Sequence, residues 1–310
     1  MGTVLTLIGA PVKADGAAAV TRAGAIDVVR QALDAAGHTV GDVTILQDGV
    51  AADIAVAGND VAGVRDTAEA ALADAGLAVD AAAQPDGPDR RRRLLVSDMD
   101  STIITCECID ELADYAGVKA EVAAVTERAM RGELDFAEAL VARVATLAGL
   151  PEGVLARAFS ERVRLMPGAR TLVATMRAHD ARAVLVSGGF TYFTARVAAL
   201  CGFDDNRANR LEVAGHRLTG QVIPPILGAD AKVAALDHYA GLWSGGTGGA
   251  LAVGDGANDL PMILRAGLGV AYHAKPKVAA AAPVRINHGD LTALLYLQGY
   301  HRDTFIAAED

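Results

Sequence analysis

Short apolar runs that stop at turn residues, alternating with stretches of helical periodicity, organise this chain. Thr3-Val-Leu-Thr-Leu-Ile8 is the first such run and reads as a strand. From about Ala18 to Ala36, Val20, Ile26, Val29 and Leu33 share one helical face, and Gly37 marks the stop. Strands follow at 40–46 and 50–57, joined near Asp48-Gly49, a dipeptide that suits a tight hairpin. Asn59 or Asp60 can cap a helix reaching about Ala75, since a short side-chain oxygen accepts a free amide of the first turn. A last strand is predicted at 77–82. Strand, helix, strand, strand, helix, strand is the split βαβ order, placed at residues 1–84. The turn-rich residues 85–93 read as a linker.

Leu94-Leu-Val-Ser97 is a buried strand by the same reading, and it ends at two carboxylates, Asp98 and Asp100. Parallel sheets gather ligands beyond the carboxyl ends of their strands, so acids here are placed for chemistry. Between Asp110 and about Leu165 there is no strand alternation; helices are predicted near 107–116, 118–130, 135–148 and 151–162, broken at Gly117, Gly132 and Gly149-Leu-Pro151. Such an all-helical insertion, at about 108–165, would form a cap over the sheet edge that excludes water. Past Pro167-Gly168 the pattern predicts a helix at 169–179, a strand at 182–187 and a helix at 191–200. Two strands within 209–222 turn at Ala214-Gly215, and a helix opens at Lys232. A strand at 250–254, a helix at 259–266, a strand at 268–272 and a helix at 291–297 complete the chain. The fold class is therefore α/β, a Rossmann-like parallel-sheet core at 94–310 with a helical cap, preceded by a ferredoxin-like α+β domain.

Composition narrows the function. The chain is 52% hydrophobic but only 4% aromatic, so its core is built from small and aliphatic side chains. Its 28 basic and 38 acidic residues leave a net charge of −10, which disfavours nucleic acid or an anionic membrane as partner. Residues 1–89 hold 13 acids against 4 bases, and Arg90 to Arg93 then form a basic cluster, read as a solvated junction or an interdomain contact. Cys106, Cys108 and Cys201 lack disulfide or zinc spacing and fit a reducing compartment. No apolar run reaches the roughly 18 residues that span a bilayer, and no signal-like segment opens the chain, so the cytoplasm is the expected location. Met99 should pack, and Asp204 and Asp205 should face water.

Four segments supply complementary groups: Asp98 with Asp100, Ser187 with the amides of Gly188 and Gly189, Lys232, and Asp255 with Asp259. Carboxylate oxygens suit Mg²⁺, a hard cation, with Mn²⁺ as the alternative. A cation, a lysine, a hydroxyl and backbone donors together neutralise phosphoryl oxygens, which is the logic of phosphoryl transfer. One carboxylate can act as nucleophile, and its neighbour as acid and base for the leaving alcohol and water.

Asp98-Met-Asp100-Ser-Thr102, Ser187-Gly-Gly189, Lys232 and Gly254-Asp-Gly-Ala-Asn-Asp259, spread over about 92–300, resemble the ordered motifs of the haloacid dehalogenase-like hydrolases, in particular their phosphoserine phosphatase branch. The resemblance implies that Asp98 is the nucleophile and Asp100 the general acid and base. It also implies Mg²⁺ held by Asp98, Asp255 and the Asp100 carbonyl, and phosphate held by Ser187, Gly188 and Lys232. Asp259 would orient metal-bound water or Lys232, and Asn258 would lie beside phosphate or substrate. On the cap, Glu107 would meet the substrate's amino group, while Phe136 closes over the ligand and Arg143 clamps its carboxylate. The implied reaction is hydrolysis of O-phospho-L-serine through an aspartyl-phosphate, as in L-serine biosynthesis. A phosphatase or phosphotransferase for another small phosphorylated amino alcohol, and a non-catalytic metabolite sensor, are the alternatives. The first domain resembles ACT-like regulatory domains in element order, which leaves amino-acid binding, homodimerisation and simple packing open.

Overall fold

The protein is described from a computed structural model, which covers residues 2–10, 24–130 and 133–308. The loop after the first strand, the start of the helix predicted from Ala18 and the break at Gly132 lie outside the described residues.

Strands Thr3–Gly9 (β1), Val40–Gln47 (β2), Ala51–Val56 (β3) and Val79–Pro85 (β4) form an antiparallel sheet in the order β2-β3-β1-β4. Two helices, Ala25–Ala35 (α1) and Val61–Asp74 (α2), cover one face. Alternation along β1 sends Leu5 and Leu7 to that side, against Val29, Leu33, Val64 and Leu72. Asp60 caps α2 by accepting the Gly63 amide at 3.0 Å. Strand β4 runs to Pro85, three residues past its predicted end. Its small side chains carry little strand signal, yet they fit a sheet buried on both faces.

That second burial is supplied by the rest of the chain. Ile8, Leu46, Ala51 and Ala82 join a core with Ile286, Ala293 and Tyr296. Asp53, on the same face, accepts hydrogen bonds from Thr6 Oγ1 at 2.8 Å and from both terminal nitrogens of Arg90 at 2.6 and 2.8 Å. Arg90 also donates to the carbonyls of Leu297 and Tyr296 at 2.9 and 3.1 Å. Arg90 of the basic cluster thus bridges the N-terminal sheet and residues 296–297, while Arg91 and Arg93 are exposed.

The second sheet contains Leu94–Ser97 (β5), Arg182–Phe190 (β6), Asp205–Ala214 (β7), Arg217–Ile223 (β8), Ala250–Gly254 (β9), Leu268–Tyr272 (β10) and Val284–Ile286 (β11). Its order is β11-β10-β9-β5-β6-β7-β8, with every pair parallel except β7–β8. Between β5 and β6 come Cys108–Ala116 (α3), Lys119–Met130 (α4), Phe136–Ala145 (α5), Gly153–Arg162 (α6) and Ala169–Ala178 (α7). Thr191–Cys201 (α8), Ala229–Trp243 (α9), Leu260–Arg265 (α10), Pro276–Ala281 (α11) and Ala293–Leu297 (α12) complete the helices.

Helices α3 to α6 form the cap, and the β7–β8 hairpin grips it: Gly149 donates to the Leu218 carbonyl at 2.8 Å and Leu218 to the Leu150 carbonyl at 2.9 Å. The short α11 and β11 were not foreseen, because three to six residues carry no readable periodicity. Asp204 departs from expectation too: its side chain is only 9% exposed, paired with Arg182 at 2.9 Å and Arg177 at 3.3 Å. Among the described residues, no helix is long and apolar enough to cross a membrane.

Candidate active site

Chain reversal on either side of β5 creates the site. The chain leaves β5 to form β6 on one side and returns as β9 on the other, so three adjacent carboxyl ends diverge around one crevice. Asp98 and Asp100 follow β5, Ser187 to Gly189 lie at the end of β6, and Asp255 follows β9. Lys232 comes from the first turn of α9, which packs beneath β5, β6 and β9.

Lys232 is 1% exposed and stands between two carboxylates, 2.5 Å from Asp259 Oδ1 and 2.7 Å from Asp98 Oδ1. Burial works against its charge, but Asp259 and Asp98 together outweigh that cost and hold its pKa above the ordinary lysine value. Asp98 Oδ1 lies off the line of a hydrogen bond from the ammonium, and no aligned donor reaches it. Asp259, fully buried, accepts the Gly256 amide on its other oxygen at 2.9 Å.

Asp100 is held from two directions. The Cys108 amide, at the start of α3, donates to Oδ1 at 3.0 Å, and Ser187 Oγ donates to Oδ2 at 3.2 Å. Burial and the nearby Glu107 raise its pKa to about 6 against these bonds. Burial, Asp259 and Glu107 likewise raise Asp255 to about 6, and burial with Asp259 lifts Asp98 well above the carboxylate range.

Four buried carboxylates, Asp98, Asp100, Asp255 and Asp259, therefore line the crevice, and the buried ammonium of Lys232 contacts two of them, Asp98 and Asp259. Asp98, Asp255 and Asp259 each bring an oxygen within 4.8 Å of the others. All-oxygen donors, crowded negative charge and an unaligned Asp98 oxygen fit a hard divalent cation. Both oxygens of Asp259 already hold donors, which favours a supporting place for it over direct ligation.

The cap residues meet this crevice. Phe136 lies over the β6 loop: a Cβ on Gly188 would come within 2.9 Å of its ring, and one on Gly228 within 3.1 Å. Glu107 accepts from Ser101 Oγ at 2.8 Å and is close enough to raise Asp100 and Asp255. Arg143, half-buried, is depressed by desolvation and held up by Asp110, Glu107 and Asp100, so its guanidinium faces the same acids. Asn258 is half-buried, its Nδ2 3.9 Å from a Cβ placed on Gly188. Met99 is fully buried, as expected.

Three contributors carry no role that sequence position alone assigns. The Cys108 amide was hidden because a backbone donor has no residue signature beyond a helix start. Ser101 adopts a left-handed backbone, φ 55°, which aims its hydroxyl at Glu107. Lys275 follows β10, donates its amide to the Asp255 carbonyl at 3.2 Å and offsets the rise in the Asp255 pKa.

Gly189 tolerates no side chain, since a Cβ there would fall 2.6 Å from Asp100 Oδ2 and 3.1 Å from Ser187 Oγ. Gly189→Ala is expected to displace one of these groups and lower kcat about 100-fold, the scale of an ångström's misplacement in an active site. Steady-state kinetics beside a melting curve would check it; an unchanged kcat in a folded variant would contradict the packing.

Residues 95–264 match the profile of the haloacid dehalogenase-like hydrolase family. The phosphoserine phosphatase of Haemophilus influenzae is 46% identical over 204 residues, covering 66% of this chain and 65% of that protein. The chain thus spans slightly less than two thirds of that relative. An unliganded crystal structure of a probable phosphoserine phosphatase from Vibrio cholerae superposes with a TM-score of 0.76 at 33% identity, covering 98% of this chain and 88% of that one. A phosphoserine phosphatase solved as a phospho-aspartyl intermediate analogue gives 0.62 at 36% identity, over 66% of this chain and 98% of that one. With a family profile over more than half its length and the motif residues gathered at one sheet edge, the chain belongs to the haloacid dehalogenase-like hydrolases.

Proposed function

We propose that this protein is a phosphomonoesterase that hydrolyses O-phospho-L-serine to L-serine and phosphate, in the cytoplasm. The observation that carries the reading is the placement of Asp98 against Lys232, with Asp100 held beside it by the Cys108 amide and Ser187. Relatives of that name, one of them solved as a phospho-aspartyl analogue, support it. Three free cysteines suit a reducing compartment.

An Asp98 oxygen attacks phosphorus while the bond to the serine oxygen breaks, and Asp100, as the acid, protonates that oxygen. Asp100 then takes a proton from water, whose oxygen displaces Asp98 and releases phosphate. A pKa raised to about 6 by burial and Glu107 suits a group that gives and takes a proton near neutrality. Ser187, the Gly188 amide and Lys232 hold the phosphoryl oxygens, and Asn258 lies beside them. Mg²⁺, or Mn²⁺ in its place, held by Asp98, Asp255 and the Asp100 carbonyl with Asp259 in support, would neutralise phosphoryl charge. Glu107 meets the substrate ammonium, Arg143 its carboxylate, and Phe136 shuts the cap. We assign residues 1–84 to the first domain, 85–93 to the linker, and 94–310 to the core with its cap at about 108–165.

The test is phosphate release from O-phospho-L-serine, O-phospho-L-threonine and phosphocholine, with and without Mg²⁺. Metal-dependent turnover led by phosphoserine is expected; turnover of phosphocholine alone would sink the substrate assignment. Arg143→Ala should raise KM for phosphoserine about ten- to a hundred-fold, the worth of a lost charge-assisted bond, while leaving any phosphocholine turnover unmoved because that ester has no carboxylate. Equal losses on both esters would remove Arg143 from the carboxylate clamp.

A further inference from the structure

We propose that Asp80, on the N-terminal sheet, is a positioning residue for Asp255. This rests on the reading of Asp255 as a metal ligand. Asp80 is 4% exposed, and its carboxylate accepts three successive backbone amides from the other domain: Asn287 at 2.8 Å, His288 at 3.0 Å and Gly289 at 2.9 Å. A concave run of amides is an anion cradle, and here a fixed side chain fills it. A buried carboxylate is a costly way to join two domains unless it fixes the segment it holds.

From that segment hydrogen bonds continue to the site. The Gly289 carbonyl meets His273 Nε2 at 2.9 Å, and the His273 amide donates to the Ile286 carbonyl at 2.8 Å. His273 is thereby tied on two sides to the strand end that Asp80 grips. Its backbone is left-handed, φ 44°, a conformation that a non-glycine residue keeps only where its surroundings impose it. Two residues on, the Lys275 amide donates to the Asp255 carbonyl at 3.2 Å. Gly289 has little room to shift, because a Cβ there would meet Ala293 at 3.0 Å and Ile8 at 3.2 Å. Asp80 thus stands at one end of a connected path whose other end sets the main chain of Asp255.

Asp80→Asn keeps the shape but turns an NH₂ group toward at least one of those amides. Mg²⁺ affinity, read by calorimetry on the full chain without substrate, is expected to fall about ten-fold, the lower end for groups that orient metal ligands. The Mg²⁺ concentration for half-maximal phosphate release should rise equally, with kcat at saturating Mg²⁺ little changed. Asp53→Asn loosens the same domain contact without touching residues 287–289, and should lower the melting temperature while leaving Mg²⁺ affinity alone. His273→Asn, tolerant of the left-handed backbone, cuts the path midway and decides the matter should Asp80→Asn not fold; it should reproduce the affinity loss. Wild-type Mg²⁺ affinity in both path variants, with binding lost in Asp255→Asn, would overturn the inference. Full Mg²⁺ binding by Asp255→Asn would instead overturn the ligand reading beneath it.

Discussion

Asp98→Asn is expected to reduce phosphoserine turnover on the order of 10⁴- to 10⁶-fold, the scale seen when a catalytic nucleophile is removed, with the fold intact. Asparagine keeps the shape of the side chain but cannot form an acyl phosphate under these conditions. The fold should survive because Lys232 keeps Asp259 as its partner at 2.5 Å. Stability should even rise near neutrality. Burial and Asp259 hold the Asp98 pKa well above its ordinary value of 3.8 despite the ion pair with Lys232, so the carboxylate is harder to ionise in the folded chain than in the unfolded one. A raised folded pKa contributes stability below the unfolded value that is lost as pH climbs. The variant's melting advantage should therefore be clear at pH 7, shrink as pH falls through the unfolded value of about 3.9, and vanish at about pH 2, where the carboxyl is protonated in both states. Phosphate-release assays, single-turnover trapping of labelled enzyme and melting curves at both pH values would check this. Retained turnover, or covalent label on the variant, would remove Asp98 from the nucleophile's place.

The second large effect is expected at Lys232. Lys232→Met preserves length and apolar packing but leaves Asp98 and Asp259 without their shared counter-charge. Removing one partner of a buried ion pair typically destabilises by about 3–5 kcal/mol, and losing a preorganised charge at the phosphoryl group lowers kcat by roughly 100- to 1,000-fold. The two effects can be separated. Adding Asp259→Asn to Lys232→Met removes one stranded carboxylate, so stability should recover in part while activity stays low. Chemical denaturation and kinetics on the single and double variants give the comparison. Full activity in a folded Lys232→Met protein would show that the ammonium serves the carboxylates alone.

Much of the site was legible because the chemistry sits where strands stop. Leu94 to Ser97 ends at Asp98, Ala250 to Gly254 ends at Asp255, and both strands are continuous apolar runs, as a sheet covered on both faces requires. The cap was legible from helical spacing broken by Gly117 and by Gly149-Leu-Pro151. Backbone contributions were harder to read. The Cys108 amide on Asp100 and the Lys275 amide on the Asp255 carbonyl depend on direction and distance, which residue type does not encode. Asp204 looked like a loop acid because its partners, Arg177 and Arg182, come from α7 and β6.

Sequence alone determined which residue types end which strands, and hence the resemblance to the motifs of the haloacid dehalogenase-like hydrolases, because periodicity and turn chemistry are local properties. Tertiary structure alone decided that β9, β5 and β6 are neighbours, that one lysine serves two acids, and that the N-terminal sheet buries its second face against α12 through Arg90 and Asp53, and against residues 287–289 through Asp80. The Asp80 hydrogen bonds alone join residues up to 209 positions apart, and side-chain burial and hydrogen-bond direction select such contacts only once the whole chain is packed.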